Sequence, residues 1–161
     1  MSRPSPASES WAPSEAIHRL LLDTNLLLLP FEGSFSLETA LAEWVTPDRV
    51  RVPSAVRGEL ERLAARGRAG AEPALRLSRG YGTLRSRLGG DRGLLELAVR
   101  TRSAVATGDR RLRAELLASG VAVLSPRGGS RLELSPPAPG GRLPLREHPR
   151  SKSRVRRSRA P

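Results

Sequence analysis

The chain has 161 residues, enough for one ordinary domain with its own apolar core and too few for two. It contains no cysteine and only two histidines, which excludes disulfides, thiolate zinc sites and an imidazole metal cage, so any bound metal must be a hard cation held by oxygen ligands. Basic residues outnumber acidic ones 28 to 16, a net charge of +12 that favours nucleic acid as a partner, although an arginine-rich genome is the plainer explanation of any single arginine.

The sequence contains no stretch that predicts a membrane span or a secretion signal. Asp23 and Asn25 interrupt the apolar run over 20–29, which is in any case shorter than the roughly 20 residues of a membrane span. The N-terminus lacks a basic region followed by an apolar block. A soluble cytoplasmic protein that does not bind membranes is therefore the expectation.

Both ends of the chain are predicted to be disordered. Residues 1–16 are rich in serine and proline, and residues 135–161 form an Arg/Pro-rich basic tail. The tail carries 8 basic and 1 acidic side chains, a net charge of +7, whereas residues 1–134 carry 20 and 15, a net charge of +5. The candidate RNA-binding side chains are the basic residues of this tail: Arg142, Arg146, Arg150, Lys152, Arg154, Arg156, Arg157 and Arg159.

Between the tails, over 17–134, short apolar runs alternate with segments of helical period. In chain order, the pattern predicts a strand over 17–22, a helix over 37–45 capped by Ser36, a strand over 50–52, and a helix starting at Pro53 and Ser54. Residues 67–90 are predicted to be a loop or poorly defined segment, because Gly80 and Gly82 interrupt a short helical pattern over 71–78. There follow a helix over 92–102, a strand over 104–107, a helix over 110–119 ended by Gly120, and strands over 121–124 and 131–134. Such alternation is typical of an α/β fold with a mainly parallel sheet covered by helices.

Three aspartates lie where strands end or helices begin. Asp23 follows the first predicted strand, Asp91 opens a helix, and Asp109 lies between a strand and the next helix. Aspartate is a good N-cap, so capping is the better explanation of Asp91 and Asp109 when each is taken alone.

Capping does not explain Glu59. This residue lies three positions after Val56 and four before Leu63, so it projects from the apolar stripe of its predicted helix. A glutamate on a core-facing stripe is costly to bury unless it meets a cation or a metal. Glu61, in contrast, points away and is predicted to pair with Arg57. The position of Glu59 therefore indicates a site.

The acidic residues are predicted to share one crevice. In an open parallel sheet, ligands gather beyond the carboxyl ends of the strands, where Asp23, Glu59 and Asp109 can all reach. Metal-assisted phosphoryl hydrolysis is the chemistry that uses several carboxylates and no histidine, with two cations about 4 Å apart.

Four motifs in order resemble the PIN domain of ribonucleases. They are LLLDTN at 20–25, VPSAVRGEL at 52–60, DRGLLELA at 91–98 and ATGDRRL at 106–112. The ending over 121–134, VAVLSPRGGSRLEL, resembles archaeal relatives of the PIN nucleases that process small-subunit ribosomal RNA. The resemblance covers about 18–134. It implies a three-layer α/β/α sandwich and a metal-dependent endoribonuclease that uses Mg2+ or Mn2+ to cleave single-stranded RNA and leave a 5′-phosphate.

The same resemblance implies the site residues. The catalytic and metal-binding acids would be Asp23, Glu59, Asp91 and Asp109. Supporting polar positions would be Thr24, Asn25 and Thr107. The chain departs from the family pattern at two positions: Arg92 stands where close relatives often have a second acid, and Gly108 where asparagine is common. The first departure changes metal affinity or turns an arginine towards a substrate phosphate, and the second loosens a turn.

Several functions stay open on the sequence alone. The basic tail and the C-terminal motif favour processing of ribosomal RNA or its precursor, with ribosomal particles as partners. A toxin ribonuclease of a toxin-antitoxin pair has the same fold and acids. A non-catalytic assembly factor that only holds RNA is the alternative from another class. The sequence also leaves open whether the domain forms a homodimer.

Overall fold

The computed structural model describes residues 17–138. The predicted N-terminal segment over 1–16 and the basic residues of the predicted tail, all beyond 138, lie outside the described residues. The described elements are β1 Leu20–Leu22, α1 Thr24–Leu28, α2 Leu37–Ala42, β2 Val50–Pro53, α3 Ser54–Ala65, α4 Ala71–Ser78, β3 Gly82–Leu84, α5 Gly90–Thr101, β4 Ala104–Ala106, α6 Arg110–Ala118, β5 Val123–Arg127 and β6 Arg131–Ser135. Short 3-10 helices cover Leu29–Phe31 and Pro47–Arg49. None of the helices within 17–138 combines the length and the apolar character needed to cross a bilayer.

The strands form one sheet in the order β3-β2-β1-β4-β5-β6. The first five strands are parallel, and β6 returns antiparallel to β5. Strand β1 is central, with Leu20 opposite both Val50 and Ala104, and its three leucines are fully buried. A strand with leucine on both faces needs cover on both sides, which is why a parallel sheet buries it. The predicted mainly parallel α/β sheet is confirmed.

Two apolar layers cover the sheet. Leu20 and Leu22 belong to a cluster that includes the buried residues of α1 to α4. Leu21 points to the other face, where it belongs to a cluster with the apolar residues of α5 and α6. This alternation is that of successive side chains along a strand. The result is the predicted three-layer α/β/α sandwich.

Most predicted elements are present with shifted ends. Strand β1 starts at Leu20 rather than at 17, and β5 starts at Val123 rather than at 121. Ser36 caps α2, where its hydroxyl accepts a hydrogen bond from the Thr39 amide. Helix α1 is not among the elements that the sequence predicts, because its run of leucines has no polar face to reveal a helical period.

The prediction of a loop over residues 67–90 is wrong, although the helical pattern over 71–78 does correspond to a helix. Helix α4 and the edge strand β3 occupy most of this segment. Arg57 on α3 anchors them, since its guanidinium donates to the Ser78 carbonyl at 2.8 Å and to the Thr83 hydroxyl. The predicted pair between Arg57 and Glu61 is therefore also wrong, although Glu61 is exposed as expected.

The described residues include the first four of the predicted tail, 135–138. Ser135 is the last residue of β6, and its hydroxyl accepts a hydrogen bond from Arg113 at 2.9 Å. The amide of Ala138 donates to the carbonyl of Leu117 at 3.2 Å. Residues 135–138 therefore belong to the folded body, which corrects the predicted boundary at 134.

A glycine in the first turn of α5 allows the preceding loop to pack against the helix. A Cβ atom at Gly93 would lie 2.0 Å from the carbonyl oxygen of Leu88, so Gly93→Ala must displace the backbone. We expect this overpacking to lower the free energy of unfolding by about 1–3 kcal/mol, measured by urea unfolding. Gly58→Ala is the matched control within α3. A Cβ there meets only Arg62 Nη1, at 3.8 Å, so this variant should gain about 0.5–1 kcal/mol. An unchanged midpoint in Gly93→Ala would contradict the close approach.

Candidate active site

The candidate site lies at the carboxyl edge of the parallel sheet. Asp23 follows β1 directly, and Asp109 lies three residues after the end of β4. Glu59 is on α3, which follows β2, and Asp91 is in the first turn of α5, which follows β3. Because parallel strands end at the same edge, four segments that are distant in sequence supply acids to one region.

Asp23 is held by a network that crosses from β1 to β4. Its Oδ1 accepts from the Thr24 amide at 2.8 Å, which caps α1, and its Oδ2 accepts from the Thr107 hydroxyl at 2.6 Å. Asn25 Nδ2 also donates to Oδ2, at 3.3 Å, and Asn25 Oδ1 accepts from the Gly108 amide at 3.0 Å. Thr107 is fully buried, so this side chain has little freedom to release the carboxylate. The network fixes the orientation of Asp23 relative to β4.

Gly108 is part of this network through its backbone amide. Its amide bond to Asn25 connects the turn after β4 to the turn after β1. A Cβ at this position would lie 3.7 Å from Asn25 Oδ1 and from Pro126, which is ordinary van der Waals contact. The expectation that glycine loosens this turn relative to asparagine stays a prediction, since asparagine would supply the same backbone amide.

Glu59 is linked to α1 by a single hydrogen bond. The Thr24 hydroxyl donates to Glu59 Oε1 at 2.8 Å. Thr24 is buried, whereas Glu59 as a whole is exposed. The burial cost from which the sequence pattern inferred a site therefore does not arise, because Glu59 is exposed and lines a pocket. Thr24 nevertheless holds one of its carboxylate oxygens beside Asp23.

Asp91 does not cap its helix. The N-cap of α5 is Gly89, which has no capping side chain, and Asp91 lies inside the first turn. Asp109, in contrast, is the N-cap of α6, and its Oδ1 accepts from the amides of Arg111 at 2.9 Å and Leu112 at 3.1 Å. The capping explanation is therefore confirmed for Asp109 and wrong for Asp91. No helix-capping role accounts for the Asp91 carboxylate.

Three of the four acids line one pocket of about 110 Å³. Asp23, Glu59 and Asp91 contribute to its wall, and Asp109 does not. The other lining residues are Pro53, Ala55, Val56, Ser86, Gly90 and Leu94. The structure thus brings together the acids from β1, α3 and α5, and leaves Asp109 beside them at the start of α6.

Two acids of the site, Asp23 and Asp91, have a raised pKa, first because of burial and then because of neighbouring carboxylates. Burial raises the pKa of Asp23 above its usual 3.8, and the charges of Asp91 and Glu59 raise it further, against hydrogen bonds from Thr107 and Thr24 that lower it. Burial also raises the pKa of Asp91, followed by the charges of Asp109, Glu115 and Glu59, while Arg111 lowers it. The pKa of Asp91 is therefore affected by acids on two neighbouring helices, α3 and α6, including Asp109.

Glu115 is a carboxylate near Asp91 that the sequence does not single out. It lies on α6, is exposed, and raises the pKa of Asp91 by its charge. The available signal was its place on the helix capped by Asp109. A solvated glutamate on a helix is so common that this position gives no reason to select it.

The donor set fits a hard divalent cation in its chemistry. Carboxylate oxygens are the ligands that Mg2+ and Mn2+ prefer. Burial is the first cause of the raised pKa of Asp23 and of Asp91, and a cation would offset the second cause, the charges of the neighbouring acids. Within 17–138, no group of three or more acidic or histidine side chains is arranged so that it could hold an ion as it stands.

Comparisons with known proteins agree with the fold. A family model described as a PIN like domain matches residues 20–129. Among solved structures, 12 chains match, and one of them is the PIN domain endonuclease Utp24. That match has 23% identity and a TM-score of 0.53, and it covers 71% of this chain and 90% of the other. No curated protein matches.

Proposed function

Because the chain belongs to the PIN-like domain family, whose model spans residues 20–129, we propose that it is a metal-dependent endoribonuclease that hydrolyses single-stranded RNA. The observation that supports this most is the pocket at the carboxyl edge of the sheet, lined by Asp23, Glu59 and Asp91. Burial raises the pKa of Asp23 and of Asp91, and the charges of neighbouring acids raise both further. None of the three acids takes part in an ion pair with a described residue. Phosphodiester hydrolysis assisted by a divalent ion is the reaction that uses such a set.

The chain's own residues would hold and orient the ion. Asp23, Glu59 and Asp91 are the side chains that would ligate Mg2+ or Mn2+, and Asp109 stands at the adjacent start of α6. When bound, a divalent ion supplies charge stabilisation at the scissile phosphate and lowers the pKa of a water. Thr107 and Thr24 keep the carboxylates of Asp23 and Glu59 in place through bonds of 2.6 and 2.8 Å. Such supporting bonds orient ligands and tune their basicity.

Ribosomal RNA or its precursor is the substrate that we propose, with ribosomal particles as the partners. The support is the fold shared with the endonuclease Utp24, together with the C-terminal motif over 121–134. In the structure this motif forms the β5–β6 hairpin.

Cleavage of a defined RNA tests the proposed function. The full-length protein is incubated with single-stranded RNA labelled at its 3′ end, with Mn2+, with Mg2+ and with EDTA. We expect internal cleavage in either metal and none in EDTA, and products that carry a 5′-phosphate. RNA that is bound but never cut in either metal would overturn the enzyme proposal and favour a non-catalytic RNA-binding factor.

The basic tail is proposed as an RNA-binding arm. Residues 135–161 carry a net charge of +7, and each phosphate neutralised on a single strand adds about 0.7 to the slope of log affinity against log salt. Removing residues 139–161, which lie outside the described residues, should weaken RNA binding and reduce that slope by several units at most. Cleavage of a saturating short RNA should stay intact. Equal affinity of the shortened and intact proteins at low and high salt would rule out this role.

A further inference from the structure

A second cleft adjoins the pocket lined by acids. It has a volume of about 320 Å³, and Ala55 and Ser86 line both cavities. Its other walls come from α3 and from the loop between β3 and α5: Ser54, Gly58, Arg62, Arg87, Leu88 and Gly89. The acid pocket thus continues into a larger cleft whose ionisable side chains are both arginines. We call this second cavity the arginine cleft.

Paired serines fix the loop that forms one wall of the arginine cleft. The Ser86 amide donates to Ser54 Oγ at 2.9 Å, and the Ala55 amide donates to Ser86 Oγ at 3.1 Å. Further along the loop, the Leu88 carbonyl packs against Gly93 of α5. The loop is therefore held at both ends, against α3 and against α5, and the cleft between them is part of the folded structure.

The two arginines of the cleft are free to bind an anion. Among the described residues, no hydrogen bond or ion pair holds the Arg62 guanidinium, which lies 3.8 Å from a Cβ placed on Gly58. Arg87 has one loose ion pair, 3.7 Å from Glu96, and Glu96 pairs more closely with Arg100 at 2.9 Å. An exposed pair of this kind contributes little, so Arg87 can exchange Glu96 for another anion.

We propose that the arginine cleft binds a backbone phosphate of the RNA next to the one over the acid pocket. The identity of the polymer rests on the proposed function. Carboxylates repel a polyanion when no metal ion is bound, and cations placed just outside the pocket would offset this repulsion. Guanidinium groups bind phosphate with two parallel hydrogen bonds. Leu88, which is 50% exposed on the cleft wall, offers apolar surface to the attached nucleoside.

RNA binding without catalysis tests this site. The full-length protein and the double variant Arg62→Gln with Arg87→Gln are titrated with a labelled single-stranded RNA in EDTA over a range of salt concentrations. We expect the double variant to bind about 10-fold more weakly at 0.1 M salt, and its salt slope to fall by about 0.7 for each phosphate that the variant no longer neutralises. The charge-matched control is Arg76→Gln with Arg79→Gln, two exposed arginines at the end of α4 that do not line the cleft. This control should bind within about twofold of the native protein.

The outcomes separate this site from the catalytic proposal. Equal weakening in the two double variants would reduce the effect to net charge and overturn the site, as would unchanged affinity in the cleft variant. A polyglutamate peptide whose affinity falls in the cleft variant, and not in the control, as much as that of RNA does would instead assign the cleft to acidic protein segments. If the cleft variant alone loses affinity and the native protein cuts no RNA in any metal, the phosphate site stands and the nuclease proposal fails.

Discussion

Asp23→Asn is expected to abolish cleavage of single-stranded RNA while the protein stays folded. Asparagine keeps the size of the side chain and can still accept from the Thr24 amide, but it removes the charge that would hold the ion. Loss of a supporting group around a metal typically costs 10–100-fold, so loss of a ligand should lower the cleavage rate by at least about 100-fold. The rate is measured under saturating RNA and Mn2+.

The acids of α3 and α6 allow matched comparisons. Asp109→Asn and Glu59→Gln should lose activity as Asp23→Asn does, because Glu59 lines the pocket and the charge of Asp109 acts on Asp91. Glu61→Gln should change the rate by less than about twofold, since Glu61 neither lines the pocket nor acts on the pKa of Asp23 or Asp91. Circular dichroism and RNA affinity in EDTA should be unchanged in all four variants. Native rates in Asp23→Asn would remove this residue from the site, and a strong loss in Glu61→Gln would show that the choice of acids is wrong.

Divalent cations are expected to raise the melting temperature of the protein. An ion that binds only the folded state adds about 2.7 kcal/mol at a concentration 100 times its Kd, which is a shift of several degrees for a chain of this size. The measurement is thermal unfolding in EDTA, in Mg2+ and in Mn2+. The shift should shrink or vanish in Asp23→Asn and persist in Glu61→Gln. No shift at millimolar ion in the native protein would contradict a shared ion site.

The pH dependence of the ion-free protein follows from the same carboxylates. Burial and neighbouring charge raise the folded-state pKa of Asp23 and Asp91 above the usual 3.8. The folded protein therefore binds these protons more tightly than the unfolded chain does, so this contribution to stability is present at low pH and is lost as pH rises through the raised pKa. In EDTA at neutral pH, Asp23→Asn should thus be at least as stable as the native protein.

The helices and strands could be predicted from the sequence wherever their apolar residues recur at a regular period and pack into the core. Strand β1 is three buried leucines followed by an aspartate, and the helix over 110–118 has both a capping acid and a terminating glycine. The prediction of a loop was wrong over residues 71–84 because the contacts that hold this segment come from a residue distant in sequence. Arg57 holds Ser78 and Thr83 from another helix, and no local pattern encodes that contact.

For the candidate site, too, the local sequence predicts which residues are present but not how they are arranged. Motifs identify the acids, but the sequence could not distinguish their roles. Asp109 caps a helix, Asp91 does not, and Glu59 is exposed beside Thr24 instead of buried. Each outcome depends on how neighbouring elements pack at the sheet edge. The arginine cleft could not be predicted from the sequence for the same reason. Arg62 and Arg87 are 25 positions apart and line one cleft because the paired serines hold the loop of Arg87 against α3.

The bond between Thr107 and Asp23, which joins residues 84 positions apart, has a consequence for the chain during its synthesis. Strand β1 is made first but lies in the middle of the sheet, so its partner β4 must emerge from the ribosome before Asp23 is fixed. Pairing over such separations is slow compared with helix formation. A nascent chain released before residue 107 therefore lacks the group that orients Asp23. If the proposed function holds, such an incomplete chain, which also lacks Asp109, is expected to be inactive as a ribonuclease.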